Sequence, residues 1–179
     1  MAWEKGESVA FTCAYAGNLR NIAKTLRQLE EISGSSKIEI AHEMEDLLAG
    51  SVELYEDAAR KQALLAGYAK KCEHNISGDT IVVRLDQLAA NLEGKADWMM
   101  KNIRANEWVK DGEDGWFNGY YDNHGRKVEG VMDESVRMML TGQVFAIMSG
   151  TATEDQVESI CRSADKYLYD QKAGGYRLN

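Results

Sequence analysis

One segment of the chain carries residue types suited to recognition. Gly115-Trp116-Phe117-Asn118-Gly119-Tyr120-Tyr121-Asp122-Asn123 alternates flat rings with short polar side chains. Rings offer a face to the C–H surface of a sugar, while Asp and Asn offer fixed acceptors and donors to its hydroxyls. Trp116, Asn118, Tyr120 and Asp122 are therefore candidate binding residues. The same pattern fits an aromatic plug that closes the end of a helical core, and the residues alone leave both readings open.

Other chemistry is weakly supported. His42-Glu43-Met44-Glu45-Asp46 approaches the zinc-protease pattern, which needs a second His four residues on to put two imidazoles on one helix face. Asp46 stands there, so a solvated acidic helix face is expected. Asp111-Gly112-Glu113-Asp114-Gly115 lacks the closing glutamate of a calcium loop and reads as a polar turn. Asn75-Ile76-Ser77 is a formal glycosylation triplet, set aside because no export signal is legible. Cys13, Cys72 and Cys161 have no His or Cys neighbour at metal or catalytic spacing, and read as buried thiols in a reducing cytoplasm. No catalytic residue, metal site or cofactor is assigned.

The elements that would position these residues read as helices. Val9, Ala16, Leu19, Ile22, Leu26 and Leu29 recur at helical steps, predicting a helix from about Glu7 to Ile32, stopped at Gly34. Ser36 and Glu39 have capping-box spacing, predicting a second helix with Ala41, Met44, Leu47 and Leu48 as its apolar stripe. A third covers about Leu54 to Cys72, with Leu64, Leu65, Tyr68 and Cys72 inward. Ile81-Val82-Val83 is too short to arbitrate between strand and extended lead-in. Asp86 is a plausible N-cap for a fourth helix to about Asn106, its continuity weakened by Gly94. Residues 108–130 form one long non-helical stretch, with a hairpin turn at Asn123-His124-Gly125. A fifth helix is expected from about Glu134 to Met148, and a sixth, opened by a Thr153–Gln156 capping box, to about Tyr169.

Composition agrees with this helical reading and narrows the function. The 179 residues include no proline, where about 9 would be average. Proline is excluded from helix interiors, so its absence points to an all-α protein, and the length suits one domain, 1–179, or one half of a large one. A net charge of −8 argues against nucleic-acid partners, because phosphate must be met by Lys and Arg. The longest uncharged run, Met138 to Thr153, is too short and polar to span a bilayer, so no membrane partner is expected.

Three segments carry a specific resemblance. They are the loop from Gly115 to Asn123, the stretch Arg137-Met138-Met139-Leu140-Thr141-Gly142-Gln143-Val144-Phe145-Ala146-Ile147-Met148-Ser149-Gly150, and the closing Gly174-Gly175-Tyr176-Arg177-Leu178-Asn179. Together they resemble the inverting glycoside phosphorylases of glycoside hydrolase family 94, in particular the 1,2-β-oligoglucan phosphorylase branch. Gln143 to Gly150 is similar to that family's Gln-Ser-Trp-Ala-Val-(Ile/Leu)-Ser-Gly segment, with Val144 and Phe145 replacing the Ser-Trp pair. Gly6-Glu7-Ser8-Val9 is similar to the helix start that follows the family's general-acid motif.

The resemblance implies about six helices making roughly half of an (α/α)6 barrel, with one aromatic loop or hairpin at 108–130. It implies an oligosaccharide substrate, inorganic phosphate as co-substrate, and conversion of a β-1,2-glucan end to α-glucose 1-phosphate. The family's catalytic Asp motif and its phosphate-binding Glu-Asn-Gly and His region have no counterpart here, so the chain is expected to be a fragment inactive alone. A cyclic β-1,2-glucan synthase's phosphorylase-like domain and a non-catalytic helical scaffold are the alternatives. The resemblance also makes Gln143 a sugar contact, since both amide ends can bond a hydroxyl, although a helix-packing amide is equally compatible. Arg137 is expected to pair with Asp122, and Glu7 to be a first-turn carboxylate favoured by the helix dipole. A half barrel would leave an apolar face for a homodimer or for the missing half.

Overall fold

The computed structural model describes residues 6–48, 52–132 and 135–179. Its helices are α1 (Val9–Ser33), α2 (Glu45–Leu48), α3 (Val52–Glu56), α4 (Ala58–Lys71), α5 (Leu85–Asn106), α6 (Leu140–Met148) and α7 (Glu154–Tyr167). Its strands form four two-stranded antiparallel sheets: β1 (Lys37–Ala41) with β2 (Thr80–Arg84), β3 (Trp108–Asp111) with β4 (Asp114–Phe117), β5 (Gly130–Met132) with β6 (Ser135–Arg137), and β7 (Tyr169–Asp170) with β8 (Gly175–Tyr176). The all-α expectation is thereby corrected. The described residues are 56% helix and 19% strand, a mixed α/β structure. Missing proline reports only that helices are uninterrupted. It says nothing against short hairpins, whose turns here use glycine at positive φ, as at Gly112 and Gly125.

The chain divides into two compact units, Asn21–Gly94 and Met1–Arg20 with Lys95–Asn179. In the first, the expected helix from Ser36 is a strand. Lys37-Ile38-Glu39-Ile40-Ala41 alternates with a period of two, and Ile38 and Ile40 face Val83 and Ile81 across the ladder. The capping-box spacing of Ser36 and Glu39 is overridden because β-branched residues on both segments pair. The same pairing decides Ile81-Val82-Val83, which is β2. Ala23, Leu26, Leu85 and Ala89 make the core of this unit, with Ile38, Leu88 and Leu92 packed on it. Arg27 and Glu93 form an ion pair at its surface.

Asp86 does not cap α5 from outside. It lies in the first turn, pairs with Arg84 and accepts from the Gln87 N–H. Gly94 leaves α5 unbroken. On α4, Leu65 is exposed while Leu64, Tyr68 and Cys72 are half-buried. His42-Glu43-Met44 is a short 3-10 turn whose Glu43 is buried, not solvated. Among the described residues no His, Cys, Asp and Glu gather as a metal site.

Glu43 makes this unit acid-sensitive. The backbone N–H and hydroxyl of Ser77 hold its carboxyl down to about 2, from an ordinary 4.5. A group depressed in the folded state contributes stability above its unfolded value and loses it as pH falls toward the folded value. Between pH 4.5 and about 2 the wild-type chain should therefore lose stability faster than Glu43→Gln. Urea midpoints measured across that range would show it, and parallel curves would remove Glu43 from the account.

The second unit is built on the β3–β4 hairpin. Ser163 Oγ on α7 accepts from the Gly115 N–H and donates to the Gly115 carbonyl, joining helix to strand. Gly115 is required at this point, since a Cβ would fall 2.4 Å from the Trp108 ring. Val9, Cys13, Ile103, Trp116, Phe117, Met138, Ala146, Ile160, Ala164 and Leu168 form the core. The Thr153–Gln156 capping box opens α7 with both reciprocal bonds in place.

The fifth expected helix is shortened. Ser135–Arg137 is strand and α6 starts at Leu140, because Val131 and Val136 pair across β5–β6, while Glu134 lies outside the described residues. Of the three thiols only Cys13 is buried, and burial pushes it up to about 11; Cys72 is half-buried and Cys161 exposed. Phe11 and Tyr15 on α1, and Val144, Ile147 and Met148 on α6, remain exposed. No described helix is long and apolar enough to cross a membrane.

Candidate functional site

A groove of about 870 Å³ opens beside the aromatic segment. Ser8, Tyr120, Asp122, Arg126, Arg137 and Met139 are among the residues that line it, with Glu7 and Asn179. Local pairing shapes it. Residue Ser8 bridges Tyr120, the Glu7 carbonyl accepts from the Tyr121 N–H at 2.9 Å, and Tyr121 bridges Lys127. Asp122 organises the turn that Asn123-His124-Gly125 was expected to make. Its carboxylate accepts from the backbone N–H groups of His124 and Arg126 and from the Arg126 side chain. The Arg126 backbone bond is the main reason its carboxyl is held down to about 2. The expected partner, Arg137, is replaced by Arg126, because a residue four positions on in the same turn needs no rearrangement to reach. Glu7 lies just outside α1, which starts at Val9, so it is not a first-turn residue.

The five expected site residues divide into two groups. Tyr120 and Asp122 line the groove and are half-buried. Trp116, Asn118 and Gln143 do not line it. Trp116 is fully buried, with its ring 5.6 Å from that of Tyr167, so neither face is open to a ligand. Gln143 brackets the backbone of Phe117, accepting from its N–H and donating to its carbonyl, each at 2.8 Å. Asn118 donates to Glu107 at 3.0 Å and accepts from the Glu129 N–H. Trp116 and Phe117 close the core as an aromatic plug would, while Tyr120 and Asp122 line the groove.

Two buried carboxylates escaped the sequence reading. Glu107 accepts from Tyr121 Oη and Asn118 Nδ2 and pairs with Lys127 at 3.6 Å. Burial and this bond together push the Tyr121 hydroxyl up to about 12. Glu129 accepts from the Gly119 and Met139 backbone N–H groups, each at 2.7 Å. Burial pushes its carboxyl up to about 7 against the pull of those two donors. The only sequence signal was an acid in Val128-Glu129-Gly130, and an acid beside a turn ordinarily faces water.

The family model for the glycosyl hydrolase 94 superfamily, catalytic domain, matches residues 83–179. That match covers just over half of the chain and includes α5, most of the groove and both buried carboxylates. The chain belongs to the glycosyl hydrolase 94 superfamily. No curated protein matches it.

Proposed function

We propose that the chain is part of an inverting β-1,2-glucan phosphorylase and that its groove holds glucan hydroxyls. The observation that carries this is the groove itself within a chain of glycoside-active kinship. Tyr120 presents a half-buried ring beside an ionised, fixed carboxylate, Asp122, the pairing that suits a sugar's apolar face and its hydroxyls. Trp116, Asn118 and Gln143 support that wall from behind. Inversion needs an acid to protonate the leaving oxygen and phosphate as the nucleophile on the opposite face. The described groove supplies substrate contacts, and no residue in it is assigned the acid role.

Pairing of two copies belongs to the same proposal, supported by the exposed apolar residues on α1 and α6, a stretch of each helix that carries no charge from Val9 to Leu19 and from Leu140 to Met148. Light scattering would read it as twice the 20.0 kDa chain mass.

Titrating sophorose into the chain while following backbone amide shifts tests the glucan reading. Binding should be millimolar, about −4 kcal/mol, for a sugar held on one wall. It should be lost in Tyr120→Ala and weakened in Asp122→Asn, with no release of glucose 1-phosphate from glucan plus phosphate. Binding unchanged in both variants, or no shift at all near the groove, would overturn this assignment.

A further inference from the structure

Glu129 joins the two sides of the groove by donors alone. Its Oε1 accepts from the N–H of Gly119, the residue before Tyr120. Its Oε2 accepts from the N–H of Met139, itself a groove residue two positions after Arg137, and from Gln143 Nε2 at 3.4 Å. The side chain is 2% exposed. Gly119 and Gly142 clear the way to it. A Cβ on Gly119 would lie 2.8 Å from Oε1 and 3.3 Å from the Gly142 Cα.

We infer that Glu129 is a positioning residue, a proton-operated latch whose ionised form holds the Tyr120–Asp122 wall against the Arg137–Met139 wall. The chemistry follows from the partners. Each oxygen meets N–H donors, so a carboxylate satisfies them all, whereas a proton on either oxygen sets a donor against a donor. No charged side chain of α6 or of the 118–119 segment touches the carboxylate. Glu107 stands beyond Asn118, with Lys127 and Tyr121 on its far side, and Arg137 lies on β6. Burial is what brings the proton within reach near neutrality. Because the folded value exceeds the ordinary 4.5, this group favours folding most at low pH, and that contribution falls as pH rises to about 7. The two backbone N–H bonds pull the carboxyl down, so a state that keeps Glu129 buried but breaks them has a higher value still, and acid favours that open state without unfolding the chain through this group.

The inference rests on the glucan reading for its purpose, but not for its test. Backbone amide resonances of Gly119 and Met139 in the full chain are followed from pH 5 to 9, a range that brackets about 7. Both should move together with one shared midpoint, and Glu129→Gln should abolish the movement. Static amides, separate midpoints, or a movement that survives in Glu129→Gln would each overturn the latch. The wild-type titration decides the matter even where the variant does not fold. Sophorose affinity should be about tenfold weaker at pH 6 than at pH 8, the ratio of ionised fractions for a midpoint of about 7. Co-titrating amides with no sugar binding at any pH would retain the latch and refute the glucan reading. Sugar binding with static amides would do the reverse.

Discussion

Trp116→Ala is expected to cost about 3–5 kcal/mol of folding free energy, the range for truncating a buried aromatic. The ring is fully buried and packs in a cluster with Phe117, Met138 and Ile160 and against Tyr167. Its indole N–H has no partner among the described residues, so Trp116→Phe deletes no hydrogen bond seen there and should cost much less. A sugar platform would behave in the opposite way, since truncating an exposed ring barely changes stability. Urea denaturation followed by far-ultraviolet circular dichroism separates the two. Since natural domains hold only about 5–15 kcal/mol, the alanine variant should sit close to its unfolding limit. A loss below about 1 kcal/mol would show that Trp116 is not a core residue.

Gln143→Leu is expected to cost about 2–5 kcal/mol, although the volume change is small. The substitution strands the buried N–H and carbonyl of Phe117, each worth about 1–3 kcal/mol when left without a partner. It also removes the amide that stands 3.4 Å from Glu129. Gln143→Glu keeps an acceptor for the Phe117 N–H but loses the donor to its carbonyl and sets a second carboxyl beside Glu129. Its deficit should therefore shrink as pH falls and the two acids take up protons. Denaturant midpoints at pH 5 and pH 8 measure both effects. Wild-type stability in Gln143→Leu would mean that the amide is not what joins α6 to β4.

Two of the corrected helix expectations share one cause. Ser36–Glu39 has the spacing of a capping box and Ile81–Val83 is too short to arbitrate alone, but a strand is decided by a partner, which here lies about forty residues away along the chain. The fifth helix, expected from about Glu134, takes in Ser135–Arg137, whereas the pairing of Val136 with Val131 makes that segment strand. Two signals with purely local causes hold in the structure. The Thr153–Gln156 box depends on two side chains three residues apart, and the turn at Asn123-His124-Gly125 on an acid and a glycine within it.

The sequence by itself determined the existence of α1, α5 and α7, the break at Gly34, the turn after Asp122, and a resemblance that the family match supports at the level of the superfamily. Helix periodicity, caps and glycine turns are short-range, so their physics is complete within a few residues. Only the tertiary structure decided which residues of the aromatic segment face the groove. Successive strand residues alternate sides, and past β4 the backbone of 118–122 turns to follow Ser8 and Lys127, so Trp116 goes inward while Tyr120 and Asp122 line the opening. The roles of Glu107 and Glu129 were likewise set by burial and by donors brought from distant segments, because a carboxylate's environment is a property of its neighbours in space.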